Sequence, residues 1–139
     1  MEKSKVIKGV CIKKIALDYY GKEDRNWGVE IGKEYDILII NLRIIEGNHS
    51  AMVIYADRIN DFRPSGFVPM ELFEIDLDNI SEIYHILTNP DNETTIEIEA
   101  LSDKQLKPVH DAFWEVLFSD EEEVNKVYFE ILDRIGIVR

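Results

Sequence analysis

The sequence has too few cysteines for a disulfide-bonded fold and no apolar run long enough for a membrane-spanning helix. It contains a single cysteine, Cys11, so no disulfide can form within the chain. Cys11 lies within an apolar strand pattern, which favours a buried, inert thiol over a catalytic one. The apolar runs are shorter than the roughly 18–20 residues that a membrane-spanning helix needs, and the charged N-terminus lacks a signal-peptide core. We therefore expect a cytoplasmic protein that does not associate with membranes.

Basic residues are also scarce. The chain has 16 lysines and arginines against 28 aspartates and glutamates, which gives a formal net charge of −12. Residues 1–80 carry 14 acidic and 11 basic side chains (net −3), whereas residues 81–139 carry 14 and 5 (net −9). Such a field repels nucleic acid and anionic lipid, and it accelerates encounter with a basic protein. Acidity that serves only solubility is the open alternative.

Patterns that carry catalysis or metal binding are missing as well. The three histidines, His49, His85 and His110, are far apart in sequence, the last two on predicted helices. No nucleophile motif, phosphate-binding glycine loop or zinc-binding spacing occurs. Asp76 and Asp78 resemble the start of a calcium loop, but the required glycine and distal glutamate are absent, and a helix cap explains them better. We expect no enzymatic activity, no metal site and no cofactor.

The first half of the chain reads as β-structure built around one long strand. Gly28 and Gly32 bracket a tight turn, and the isoleucine-rich stretch 35–45 that follows is strongly β-prone. At about eleven residues it exceeds the usual strand length, so we expect it to bend and serve two faces. Further strands are predicted at 5–14, with Val6, Val10 and Ile12 as core candidates, at 51–56, and at 67–75 with a break at Pro69.

In the second half the apolar spacing becomes helical. Ile80, Ile83, Tyr84 and Leu87 lie at helical intervals and predict a first helix. The stretch 94–100 alternates and predicts a strand. Two more helices are predicted, one from about Pro108 and one after Ser119, where a capping box precedes an amphipathic stretch.

Together these elements predict an α+β protein. Residues 1–76 should form an antiparallel barrel-like sheet, and residues 77–139 a helical annex of three helices and one short strand. Because each predicted helix has an apolar stripe to bury, the annex should pack on the sheet.

Two stretches resemble the Src-homology-3 family. The segment 16–20 (ALDYY) is similar to that family's ALYDY strand, and 66–73 (GFVPMELF) to its closing strand and helical turn. The resemblance implies a small antiparallel barrel over residues 5–75. It also implies a peptide-binding groove, although Ala51–Ile54 lacks the family's groove tryptophan and Phe73 replaces its terminal tyrosine.

Small bacterial and phage-borne proteins of the same barrel class offer a second resemblance. Their order of motifs is similar to Val10-Cys11-Ile12, then the stretch 32–35 (GKEY), then Phe67-Val-Pro69 with Phe73-Glu74. Some of these proteins are similar to immunity proteins of polymorphic or contact-dependent toxin systems. The resemblance implies a short acidic protein that binds and neutralises a basic toxin domain, for example a nuclease. A peptide-binding adaptor is the alternative.

The predicted partner-binding surface combines aromatic and acidic side chains. Trp114 and Phe118 lie one helical turn apart and opposite the apolar stripe of their predicted helix. Aromatic side chains off the core face either pack against the rest of the chain or anchor a partner. If they anchor a basic protein, the surface consists of Glu97, Glu99, Asp111, Trp114, Glu115 and Phe118.

Overall fold

Ten strands and one α-helix make up the described part of the chain. The computed structural model describes residues 6–17, 23–45, 48–57, 63–77, 80–90, 93–101 and 122–135. The strands are β1 (Ile7–Cys11), β2 (Ile15–Leu17), β3 (Asp24–Asn26), β4 (Glu34–Ile45), β5 (Asn48–Asp57), β6 (Arg63–Pro64), β7 (Val68–Pro69), β8 (Phe73–Ile75), β9 (Tyr84–Asn89) and β10 (Glu93–Ile98). The helix is α1 (Glu122–Arg134), and 3₁₀ turns span Met70–Leu72 and Glu99–Leu101. This mixture confirms the predicted α+β class.

The long isoleucine-rich strand is the centre of an eight-stranded antiparallel sheet. One edge of β4 pairs with β5 along nearly its whole length. Its other edge pairs first with β1, over residues 34–37, and then with β10, over residues 39–43. The register to β5 shifts between Ile37 and Ile39, so the strand is irregular at the point where its partner changes. β4 thus holds two groups of strands together.

The predicted break at Pro69 is confirmed. β7 ends at Pro69, the 3₁₀ turn follows, and β8 begins at Phe73. Before the break the chain pairs with β5, and after it the chain pairs with β1. The 3₁₀ turn therefore takes the chain from β5 to β1, which lie on opposite sides of β4. The pairings among the described residues form no closed barrel.

The helix predicted over residues 80–87 is wrong: residues 80–83 are irregular or turn, and β9 begins at Tyr84. β9 pairs with β10 in register from Tyr84 opposite Ile98 to Asn89 opposite Glu93. Of the four residues in the predicted apolar stripe, only Tyr84 is buried, and Leu87 is 50% exposed. Pairing with β10 satisfies the backbone of a segment whose local spacing alone favours a helix.

The β9–β10 hairpin belongs to the same sheet as the first half of the chain, because β10 pairs with β4. The Tyr84 hydroxyl stabilises this junction through two hydrogen bonds. Its hydroxyl accepts a hydrogen bond from the Ile7 N–H at 2.8 Å and donates one to the Ile37 carbonyl at 2.6 Å. The Tyr84 side chain thus joins the first residue of β1 to β4, at the point where the pairing partner of β4 changes from β1 to β10. The sheet therefore continues past residue 76, and the division into two domains there stays a prediction.

The core face of β1 is displaced by one residue from the prediction. Val6 is buried as predicted, but Val10 is 38% and Ile12 51% exposed. Ile7, Gly9 and Cys11 face the core instead. Side chains of a strand alternate between its two faces, so the burial expected of Cys11 is met on the face opposite to Val10 and Ile12.

Gly9 occupies a crowded inward position. A Cβ atom added there would lie 3.0 Å from Ile37 Cδ1 and 3.3 Å from Ile75 Cγ1. We expect Gly9→Ala to lower the free energy of unfolding by about 1 kcal/mol, because overpacking forces neighbouring side chains to move. Urea unfolding measures it. Gly66→Ala is the control, since no described atom lies within 4 Å of its added Cβ, and an equal loss in both variants would contradict the claim.

The C-terminal helix agrees with the amphipathic pattern. α1 buries Val124, Tyr128, Ile131 and Leu132 in the core shared with the sheet. These positions lie at helical intervals on one face, as the spacing predicts. The helix predicted from about Pro108 lies outside the described residues.

Candidate partner-binding surface

Glu97 and Glu99 of the predicted surface lie in the described part of the chain, and they differ in environment. Glu97 lies on β10 opposite His85 of β9. Its Oε1 is 2.8 Å from His85 Nε2, and its side chain is only 12% exposed. Glu99, in the following 3₁₀ turn, is exposed. Asp111, Trp114, Glu115 and Phe118 lie outside the described residues, so their role stays a prediction.

His85 lies on β9 and not on the helix that the sequence spacing predicts. Residues directly opposite each other in an antiparallel pair share one face, and this brings the imidazole to the Glu97 carboxylate. The carboxylate is therefore occupied inside the protein. Of the predicted pair, Glu99 is the one whose carboxylate faces solvent.

A polar network continues along the same face of the sheet. Asn41, 7% exposed, donates from Nδ2 to Glu93 Oε1 at 3.0 Å and to Thr95 Oγ1 at 3.1 Å. Arg43 Nε lies 3.1 Å from Glu93 Oε2. These contacts join β4 to β10 through side chains as well as backbone. The carboxylate of Glu93, like that of Glu97, already has a partner within the sheet.

The outer face of β1 has a different character. Val10 lies directly opposite Glu34 of β4 on one side and opposite Glu74 of β8 on the other. All three side chains are exposed. Neither carboxylate makes an ion pair with a basic side chain in the described part of the chain. This row of an apolar side chain between two acidic ones was not predicted, because the register of three strands must be known before the three residues can be placed side by side.

A ring cluster lies where the Src-homology-3 resemblance implies a peptide groove. Tyr35, Tyr55 and Phe73 meet edge to face, with ring centroids 4.6 to 5.9 Å apart. Tyr35 is 3% and Phe73 6% exposed, so both belong to the core. Lys33 Nζ lies 4.9 Å from the Tyr35 ring centroid and 2.7 Å from Asp57 Oδ1. The cluster mainly packs the sheet and leaves only the half-buried Tyr55 ring partly open.

Burial raises the pKa of Tyr55 to about 12, and it raises the pKa of Tyr84 and Tyr128 as well. An unfolded tyrosine titrates near pH 10, so these groups add stability that is complete below about pH 10. That stability is lost as pH rises toward 12. We expect cooperative unfolding in this window, with circular dichroism and tyrosinate absorbance changing together. Titration of all six tyrosines near pH 10 with an unchanged circular dichroism spectrum would contradict it.

Cys11 behaves as the buried thiol that the strand pattern predicts. It is 1% exposed, its thiol donates to the Lys13 carbonyl at 3.2 Å, and burial raises its pKa. A raised pKa disfavours the thiolate, which is the reactive form. Among the described residues, no group of three or more His, Cys, Asp or Glu side chains could hold a metal ion.

A small cavity of about 260 Å³ lies beside the end of α1. Its walls are Ile83, Ile98, Ala100 and Ile135, and Glu99 contributes the one carboxylate among the described lining residues. Pockets that enclose a small-molecule ligand usually measure about 300–1,000 Å³. The cavity is thus below the size of a typical ligand site.

Comparison of the chain with protein-family models, with curated proteins and with solved structures finds no match. None of the helices in the described residues is long and apolar enough to cross a membrane.

Proposed function

We propose that this chain is an acidic immunity-type protein that binds and neutralises a basic toxin domain, such as a nuclease. Carboxylates would cover the cationic cleft of the toxin, in the place that phosphate groups occupy in its substrate. The attraction would act over a distance and speed the encounter of the two proteins.

The excess of exposed carboxylates carries the proposal. The exposed acidic side chains of the described residues are Glu23, Asp24, Glu30, Glu34, Glu71, Glu74, Asp76, Glu82, Glu99, Glu122, Glu130 and Asp133. The exposed basic ones are half as many: Lys13, Lys14, Arg25, Arg43, Lys126 and Arg134. Acidic side chains therefore outnumber basic ones on the described surface in both halves of the chain.

The finer fold that we propose for residues 1–76 is a Src-homology-3-like barrel. Three features support it. The strands follow the order β8, β1, β4, β5 and β7 across the sheet. A 3₁₀ turn connects β7 to β8. The small hairpin of β2 and β3 lies in the connection between β1 and β4.

A peptide-binding adaptor on the same barrel is the alternative. Such a groove needs aromatic rings open to solvent, and aromatic side chains are the residues that usually anchor partners. Tyr35 and Phe73 are buried, so the ring cluster gives this alternative little support.

Protection of growing bacteria tests the proposal. We expect the gene immediately upstream of this chain to encode a large toxin. Expression of its C-terminal domain should arrest growth, and co-expression of this chain should restore it. An unrelated acidic protein of similar size is the control, because it supplies charge without a matching surface. Arrest that persists with this chain present would overturn the proposal.

A further inference from the structure

We infer that the exposed outer face of β1 is the docking surface for a basic amphipathic helix of the partner. The inference rests on the proposed function, since it assumes a basic partner, and it adds where that partner docks and with which element. The surface, here called the β1 face, consists of Val10 of β1, Ile12 directly after β1, Glu34 of β4 and Glu74 of β8.

Within the described residues, the β1 face is a sheet surface with one covered end. Two residues before Val10, Lys8 forms an ion pair with Asp36, which is 1% exposed. Burial raises the pKa of Tyr128 in α1, and the nearby Asp36 charge raises it further, so α1 packs close to this end. Farther along the chain from Lys8 the apolar side chains are exposed to solvent, Val10 by 38% and Ile12 by 51%. Apolar side chains on an open sheet face are candidates for contact with another protein.

The charged side chains directly opposite Val10 are both negative. Glu34 and Glu74 flank Val10 in one row across three strands. Of the nearby basic side chains, Lys8 pairs with Asp36 and Lys13 with Glu71, the latter at 2.7 Å, while Lys14, two residues after Ile12, is exposed. A partner with an apolar residue between two basic ones would complement the row in both charge and hydrophobicity.

Spacing selects a helix as the partner element. Neighbouring strands lie about 4.8 Å apart, so the backbones at Glu34 and Glu74 are separated by about 9.6 Å. Residues i and i+7 of an α-helix are about 10.5 Å apart on one face, with i+3 and i+4 between them. In an extended strand, residues on one face recur about every 6.8 Å, which fits the row less well. A helix lying across the strands would place basic residues at i and i+7 over the glutamates and an apolar residue over Val10.

A designed peptide tests this inference without the toxin. The probe is an alanine-rich helix of about fifteen residues, with lysines at i and i+7 and leucines at i+3 and i+4. A peptide of the same composition with the lysines and leucines scrambled is its control. Fluorescence anisotropy measures binding to the full chain at low salt. We expect the patterned peptide to bind at least about fivefold more tightly than the scrambled one, a difference of about 1 kcal/mol.

Variants of the chain locate the contact. Glu34→Gln with Glu74→Gln should weaken binding of the patterned peptide about tenfold, and Ile12→Ser about fivefold. Glu130→Gln with Asp133→Asn is the matched control, since it removes two exposed charges from α1 and should change binding less than about twofold.

Two outcomes would overturn the inference. One is equal binding of the patterned and scrambled peptides, which needs only the unaltered chain and is independent of how the variants fold. The other is an equal loss from both charge-removing pairs. Either result, combined with growth protection by the chain, would leave the proposed function in place and move the docking surface elsewhere. Loss of growth protection would instead count against the proposed function itself.

Discussion

Replacing Lys8 with methionine should lower the free energy of unfolding by about 3 kcal/mol, which is the largest single effect expected. The lysine forms an ion pair with Asp36, whose side chain is 1% exposed, while its own side chain is 25% exposed. Removing one partner of a buried ion pair typically costs about 3–5 kcal/mol, because the remaining charge stays desolvated. The low end applies here because water reaches Lys8.

A double variant separates this cause from a general loss of packing. Lys8→Met combined with Asp36→Leu removes both charges and keeps apolar volume, so its stability should return to within about 1 kcal/mol of the unaltered protein. Urea unfolding followed by circular dichroism measures both variants. A single variant that loses less than about 1 kcal/mol, or a double variant worse than the single, would contradict the buried pair.

Replacing Tyr84 with phenylalanine should cost about 2 kcal/mol. The substitution leaves the ring in place but removes the hydroxyl that links the Ile7 N–H to the Ile37 carbonyl. Buried polar groups left without a hydrogen bond cost about 1–3 kcal/mol. This hydroxyl joins β1 to β4 at the point where the β9–β10 hairpin begins. Its removal should therefore also weaken the pairing of β1 at its first residue, Ile7.

Tyr55→Phe is the matched control, because the described part of the chain shows no hydrogen bond to its hydroxyl and the side chain is half-buried. It should change stability by less than about 0.5 kcal/mol. Amide hydrogen exchange supplies a second measurement, in which Tyr84→Phe should speed exchange at Ile7. Equal losses in the two variants, with unchanged exchange at Ile7, would show that the hydroxyl does not hold this junction.

Local sequence signals predicted the elements whose chemistry is repeated over many residues. The isoleucine-rich stretch became β4, and the amphipathic stretch after residue 119 became α1. Pro69 ended a strand because a proline has no N–H to donate to the sheet. In each case one dominant local preference agrees with the final packing.

Elements that depend on distant partners were harder to predict. β9 is a strand because β10 lies beside it, and β10 in turn is held by β4, about fifty residues earlier in the sequence. Val10 and Ile12 were assigned to the core because both are apolar, whereas the inward positions next to them are Gly9 and Cys11. Apolar character alone does not specify which face of a strand is buried.

The candidate site shows the same limit. Charge counts predicted an acidic surface but not which carboxylates are available. Glu97 was predicted to face a partner, yet it is paired with His85. Glu34 and Glu74 lie forty residues apart in sequence and flank the same Val10 only because β1 pairs with both β4 and β8.

The salt dependence of association with the toxin domain tests the central claim most directly. Stopped-flow fluorescence would give the association rate constant at ionic strengths from about 0.01 to about 0.15 M, where the screening length falls from about 30 to about 8 Å. If exposed carboxylates steer a basic partner, the rate constant should fall at least about tenfold across this range while the dissociation rate changes far less. An association rate that does not vary with salt would contradict the account.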